Sequence, residues 1–190
     1  MKIILDAFGG DNAPAEALKG RSMAVKELGV TVLAVGDIEK MQECCKAENI
    51  DTDGIEFKQA KGVFDMHREP MDIVKKAKDT SLYVAFKALS DGEGDALVSA
   101  GSTGAILMGA TFITKRIRGC KRPALGFVLP GESKSGFLLM DCGANSEVKP
   151  EMLNQFATIG SIYMSKVAGV ANPRVALLNN GAEDTKGTPV

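Results

Sequence analysis

Four short stretches of this chain gather glycine with asparagine, aspartate and hydroxyl residues directly after an apolar run. They are Asp6-Ala7-Phe8-Gly9-Gly10-Asp11-Asn12, Ser99-Ala100-Gly101-Ser102-Thr103-Gly104, Asp141-Cys142-Gly143-Ala144-Asn145 and Asn179-Asn180-Gly181. A glycine turn that feeds a helix leaves backbone N–H groups pointing outward. The helix dipole adds positive potential, so phosphate can be held without a basic side chain. Glycine and asparagine also suit plain connections, so one such turn decides nothing. Four of them at strand ends on one edge favour an anion site. In that reading Gly9, Gly10, Asp11, Asn12, Gly101, Gly104, Gly143, Asn179 and Gly181 surround the ligand. Asn12, Ser102, Thr103, Asn145 and Asn179 supply neutral side-chain contacts, while the N–H groups of residues 9–12 and 101–104 face developing negative charge. Carboxylates repel phosphate, so Asp11 and Asp141 are expected to brace their turns through their own backbone.

Other reactive side chains are few. His67 is the single histidine and sits in the charged stretch Asp65-Met66-His67-Arg68-Glu69-Pro70, where a surface role is expected. The four cysteines, Cys44, Cys45, Cys120 and Cys142, have no metal-ligand or disulfide-frame spacing, which fits a reducing cytosol, and no metal or cofactor is expected. Cys142 is read as structural. No G-x-G-x-x-G occurs, and Gly131-Glu132-Ser133-Lys134-Ser135-Gly136 lacks the order of a phosphate-binding P-loop. The net charge of -1 gives no footprint for nucleic acid or a polybasic membrane surface. No apolar run approaches the roughly 20 residues needed to span a bilayer.

Apolar runs and amphipathic patterns alternate around these turns. Strands are expected at 2–5, 31–35, 55–59, 96–99, 124–129, 137–140 and 175–178, with helices at 14–28, after Asp37, at 72–90, 103–116 and 150–167. The second half of 72–90 is expected to be set off by a break near Asp79-Thr80, and 130–136 to turn a hairpin. Such alternation predicts an α/β fold with a mainly parallel sheet covered on both faces, whose ligands bind beyond the carboxyl ends of the strands.

The turns also carry a family resemblance along the whole chain. Asp6-Ala7-Phe8-Gly9-Gly10-Asp11-Asn12-Ala13-Pro14 resembles the D-A-M-G-G-D-x-A-P opening of bacterial phosphate acyltransferases, with Phe8 for Met. Ser99-Ala100-Gly101-Ser102-Thr103-Gly104-Ala105 is similar to their S-A-G-N-T-G-A, with Ser102 for Asn. Arg122-Pro123-Ala124, Asp141-Cys142-Gly143-Ala144-Asn145, Lys149-Pro150-Glu151, Pro173-Arg174-Val175 and Gly181-Ala182-Glu183 follow in the family's order. The resemblance implies a Rossmann-like layered α/β/α domain akin to isopropylmalate dehydrogenases. It implies transfer of a fatty acyl group from acyl carrier protein to inorganic phosphate, by a homodimer in the cytoplasm with a peripheral membrane contact. It adds Lys78, in Lys75-Lys76-Ala77-Lys78-Asp79-Thr80-Ser81, as an anion contact beside Ser102, Thr103 and Asn145. Because the family continues to a later D-G-x-x-G-N turn, residues 1–190 are expected to be the front of a longer catalytic domain, inactive and marginally stable alone. The competing readings are a nucleotide- or NAD-using enzyme on a related fold and a non-catalytic carrier-binding fragment.

Overall fold

A computed structural model of the chain describes residues 1–145, 147–179, 181 and 183. They form two compact units, Met1–Arg116 and Ile117–Val190.

In the first unit four strands run parallel: β1 (Lys2–Asp6), β2 (Thr31–Gly36), β3 (Ile55–Gln59) and β4 (Ala96–Val98). Their spatial order is β3-β2-β1-β4, with Ile3 opposite both Val32 and Ala96. Side chains alternate across the sheet, and both faces are apolar. Ile4, Leu33 and Val35 pack with Ala85 and Ala88 of the helix Ser81–Ser90 (here α4). Ala34 packs with Leu18 of α1 (Ala15–Leu28) and with Met41 and Cys45 of α2 (Ile38–Ala47). Leu5 and Val32 meet Ala17 and Ala24 of α1. The sheet is therefore the middle of three layers, as the continuous apolar runs demand.

Local chemistry sets the helix limits. The Asp37 carboxylate accepts from the Lys40 N–H at 3.3 Å and starts α2. Gly29, in the left-handed region at φ 63°, ends α1. The expected break in 72–90 is present, and it is wide: α3 covers only Asp72–Lys75. Thr80 then donates its hydroxyl to the Ala77 carbonyl at 2.6 Å, and the Ser81 N–H reaches the Gly62 carbonyl at 2.9 Å. The helix expected at 103–116 is α5 (Thr103–Gly109), continued by a π-helical stretch over Ala110–Lys115.

One charge is buried as a staple. Arg21 on α1 is 4% exposed; its Nη1 donates to the Asp51 carbonyl at 2.9 Å, and its Nη2 donates to that of Asp53. Burial lowers its pKa, with nearby Asp51, Cys45 and Asp53 acting the other way. Arg21→Ala should cost about 3 kcal/mol, because two carbonyls lose a charged donor and a cavity opens. An unchanged denaturant midpoint would show that the staple contributes nothing.

The second unit contains an antiparallel hairpin, β5 (Gly126–Leu129) with β6 (Phe137–Met140), in the register Leu129 opposite Phe137. It also contains α6 (Pro150–Lys166), which buries Phe156 and Met164 and starts with Pro150, whose fixed φ suits a first turn. Residues 175–178 are not a strand, contrary to their apolar pattern. Among the described residues nothing pairs with them, and Leu178 is 79% exposed. An apolar run becomes a strand only where a neighbour takes its hydrogen bonds.

Candidate active site

The chain direction through the sheet marks a candidate position for the site. From β1 the connections step outward to β2 and β3, then return across to β4 on the opposite side of β1. The strand order reverses between β1 and β4, and a crevice opens beyond the carboxyl ends of strands at such a point. The turns leaving these two strands are residues 7–14 and 99–102.

These turns touch. A Cβ on Gly9 would stand 2.6 Å from Ser99 Oγ, 2.7 Å from Asp6 Oδ2 and 2.9 Å from the Gly101 nitrogen. One on Gly10, at φ 99°, would stand 3.1 Å from the Ala100 Cβ. Glycine is thus required at Gly9 by the approach of the β4 turn, and at Gly10 by its backbone angle as well. Gly104 is limited by Pro70, whose Cγ lies 2.8 Å from where a Cβ would be. Asp11 and Asn12 lie exposed on the outside of their turn. Among the described residues the Asp11 carboxylate accepts no hydrogen bond, so it does not brace the turn as expected.

Ser102 is buried and caps α5, its Oγ accepting from the Ala105 N–H at 3.4 Å. Its hydroxyl hydrogen stays available to donate. Thr103 and Gly104 open the helix, where N–H groups have no intrahelical acceptor, and Thr103 is exposed. The Gly101 N–H, in contrast, is taken by Ser99 Oγ at 3.1 Å. Lys78 is exposed in the connection between α3 and α4, three residues before the buried Ser81.

Two side chains without an assigned role in the sequence sit at the centre of this arrangement. Asp6, the last residue of β1, is 2% exposed. Its Oδ2 accepts from the Ser99 hydroxyl at 2.7 Å, and its Oδ1 has no hydrogen-bond partner. Burial raises the Asp6 pKa, partly offset by the Ser81 and Ser99 hydroxyls and the Phe8 N–H. The signal available in the sequence was a carboxylate closing an otherwise apolar parallel strand.

The remaining candidates belong to the second unit. The turn 141–145 follows β6, a strand of the antiparallel hairpin, so only two of the four turns leave the parallel sheet. Here Asp141 does brace its turn. Its Oδ1 accepts from the N–H of Leu125 at 2.8 Å and of Ala144 at 3.2 Å, and its Oδ2 from the Asn145 N–H at 2.7 Å. Asn145 Nδ2 donates to Asp141 Oδ2 and to the Pro123 carbonyl, both at 3.0 Å. The Asn145 amide hydrogens are therefore spent on the turn, leaving its Oδ1 for any ligand. Gly143 is exposed at φ 103°. Asn179 Nδ2 donates to the Gly181 carbonyl at 3.0 Å. Asn180, Ala182 and residues 184–190 of the last motif lie outside the described residues. Cys142 Sγ donates to the Leu139 carbonyl at 3.2 Å, a structural contact.

His67 is exposed, its backbone N–H bonded to Asp65 Oδ1 at 2.7 Å. His67→Ala should leave turnover within about tenfold, since general-base catalysis requires a position against the reacting group. A loss of several orders of magnitude in a folded variant would reverse that assignment. Among the described residues no group of three or more His, Cys, Asp and Glu could hold a metal, and no helix is long and apolar enough to cross a membrane.

The layered sheet with its switch-point turns defines a Rossmann-like α/β protein, and solved structures share that fold. A phosphotransacetylase from Streptococcus pyogenes matches with a TM-score of 0.68 at 17% identity, over 100% of this chain and 60% of that one. The EutD phosphotransacetylase from Staphylococcus aureus matches at 0.62 and 21% identity, over 89% of this chain and 54% of that one. By sequence the chain belongs to the family described as fatty acid synthesis protein, whose model matches residues 1–190. It is 43% identical to the phosphate acyltransferase of Desulfitobacterium hafniense (strain DSM 10664 / DCB-2) over 187 residues, 98% of this chain and 55% of that protein. It is 45% identical to that of Fusobacterium nucleatum subsp. nucleatum over 188 residues, 98% of this chain and 57% of that one. The chain spans about half the length of these curated relatives.

Proposed function

We propose that the full-length protein transfers a fatty acyl group from a carrier-protein thioester to inorganic phosphate. A phosphate oxygen attacks the thioester carbonyl, the tetrahedral oxyanion collapses, and the C–S bond breaks. Acyl phosphate forms, and the thiolate takes up a proton. Phosphate is the nucleophile, so no protein nucleophile is needed. The protein supplies position and donors for the anion and for the developing oxyanion.

The observation that carries this reading is the meeting of the Gly9-Gly10 and Gly101–Gly104 turns at the reversal of strand order. Thr103 and Gly104 N–H groups, the Ser102 hydroxyl and the exposed Asn12 are the donors there, with Lys78 as a longer-range cation. The identity to phosphate acyltransferases supports the reaction class. An apolar groove of about 620 Å³ in the second unit, lined by Leu138, Leu153, Phe156 and Met164, offers walls suited to an acyl chain. We read both units as parts of one longer catalytic domain, with acyl carrier protein as donor. A cytoplasmic homodimer touching the membrane surface is the accompanying assembly, supported by the motif resemblance alone.

The full-length protein, given acyl carrier protein thioester, should release thiol only when phosphate is present. Release that ignores phosphate would identify a thioesterase and sink the proposal.

A further inference from the structure

A carboxylate closed off from water at a site for an anion calls for a reason. Desolvation disfavours the charged form of Asp6, and no charged side chain among the described residues faces it. The groups around it are the Ser81 hydroxyl from α4, the Ser99 hydroxyl beyond β4 and the Phe8 N–H. With its pKa raised above 3.8, the folded state holds the proton more tightly than the unfolded chain does. Stability is then greatest below the unfolded value and falls as pH rises through the folded one.

The geometry shows what the carboxyl group does. Ser99 Oγ has one hydrogen and gives it to Asp6 Oδ2 at 2.7 Å. That choice turns its lone pairs toward the Gly101 N–H, which donates to it at 3.1 Å. A carboxyl oxygen that accepts here fixes the direction of the hydroxyl hydrogen. The chain Asp6–Ser99–Gly101 joins the end of β1 to the turn after β4, across the same gap that Gly9 leaves open. The N–H groups of Ser102, Thr103 and Gly104 follow directly from the orientation of Gly101.

We propose that Asp6 is a positioning residue for the phosphate site: through the Ser99 hydroxyl it sets the Gly101 peptide and so aims the donors that follow. This rests on the acyl-to-phosphate reading above. Asp6 does not touch the substrate, and it acts through Ser99. A neutral isostere keeps the shape but offers an amide N–H₂ on one side, which lets the Ser99 hydroxyl reverse and frees the Gly101 peptide to rotate.

The test uses the full-length protein and its Asp6→Asn, Ser99→Ala and doubly substituted forms, with acyl carrier protein thioester and inorganic phosphate. Asp6→Asn is expected to lower kcat/KM for phosphate about tenfold or more while leaving Tm at pH 7 equal or higher. Ser99→Ala should match it, and the double variant should be no worse than either single one, because both break one chain. Amide exchange at Gly101 should quicken in both. Wild-type kinetics in Asp6→Asn, losses that add in the double variant, or activity and Tm falling together would each overturn the proposal. If the wild-type protein lacks phosphate-dependent thiol release, the function reading fails by itself. Gly101 exchange then decides the relay: acceleration in Asp6→Asn upholds it, and unchanged exchange overturns it.

Discussion

Gly9→Val is expected to lower kcat/KM for phosphate-dependent thiol release about a hundredfold or more in a protein that still folds. The Cβ alone would lie within 3 Å of Ser99 Oγ, Asp6 Oδ2 and the Gly101 nitrogen, at 2.6, 2.7 and 2.9 Å. None of these can yield alone. Ser99 and Asp6 are bonded to each other, and the third atom is backbone, so relief must come from moving one turn away from the other. A displacement near 1 Å in positioned groups can cost about a hundredfold in rate. The loss should lie in kcat/KM more than in Tm, since the clash is at the sheet edge and the cores above and below β1 are not entered. Gly20 is the matched control: it lies mid-helix in α1, exposed, with nothing within 4 Å of a Cβ. Gly20→Ala should keep wild-type turnover and gain up to about 1 kcal/mol from helix propensity. Wild-type kinetics in Gly9→Val would reduce these turns to connectors.

Much of this arrangement could be read before any coordinates. The runs Ile3-Ile4-Leu5 and Val32-Leu33-Ala34-Val35 are apolar on both faces, which only a covered parallel sheet accommodates, and Asp37 and Gly29 mark helix ends by their own chemistry. Two of the four glycine turns marked the strand ends that meet where the strand order reverses. What could not be read is which strands are neighbours. Nothing local in Ala96–Val98 says that it pairs with β1, yet that pairing creates the switch point. Without it Asp6 and Ser99, 93 residues apart, have no reason to meet. The same limit explains Asn145, whose type suggested a ligand contact while its amide hydrogens serve Asp141 and Pro123. Residues 175–178 fail for the complementary reason: their pattern is that of a strand, but pairing lies outside local pattern.

The second large effect is expected at Asp141, and it is one of folding. Its carboxylate collects three backbone N–H groups and the Asn145 side-chain amide at 2.7–3.2 Å, tying β6 to the segment before β5 and to its own turn. Burial pushes its pKa up, but hydrogen bonds from Leu125, Asn145 and Ala144 outweigh that and hold it below 3.8. Hydrogen bonds to a charged group contribute about 1.5–3 kcal/mol each when buried. Asp141 is only half-buried, so water replaces part of what is lost, and Asp141→Ala should cost about 3 kcal/mol in all. The pH dependence has a definite sign. A depressed folded pKa contributes stability above the unfolded value near 3.8, and that contribution disappears as pH falls through the folded value. Asp141→Asn removes the titrating group while keeping one acceptor, so its deficit against wild type should be full at pH 7 and shrink below about pH 3.8. Other carboxylates titrate there too, which is why the difference between the two proteins is the quantity to measure. A stability difference independent of pH would show that the brace does not depend on charge.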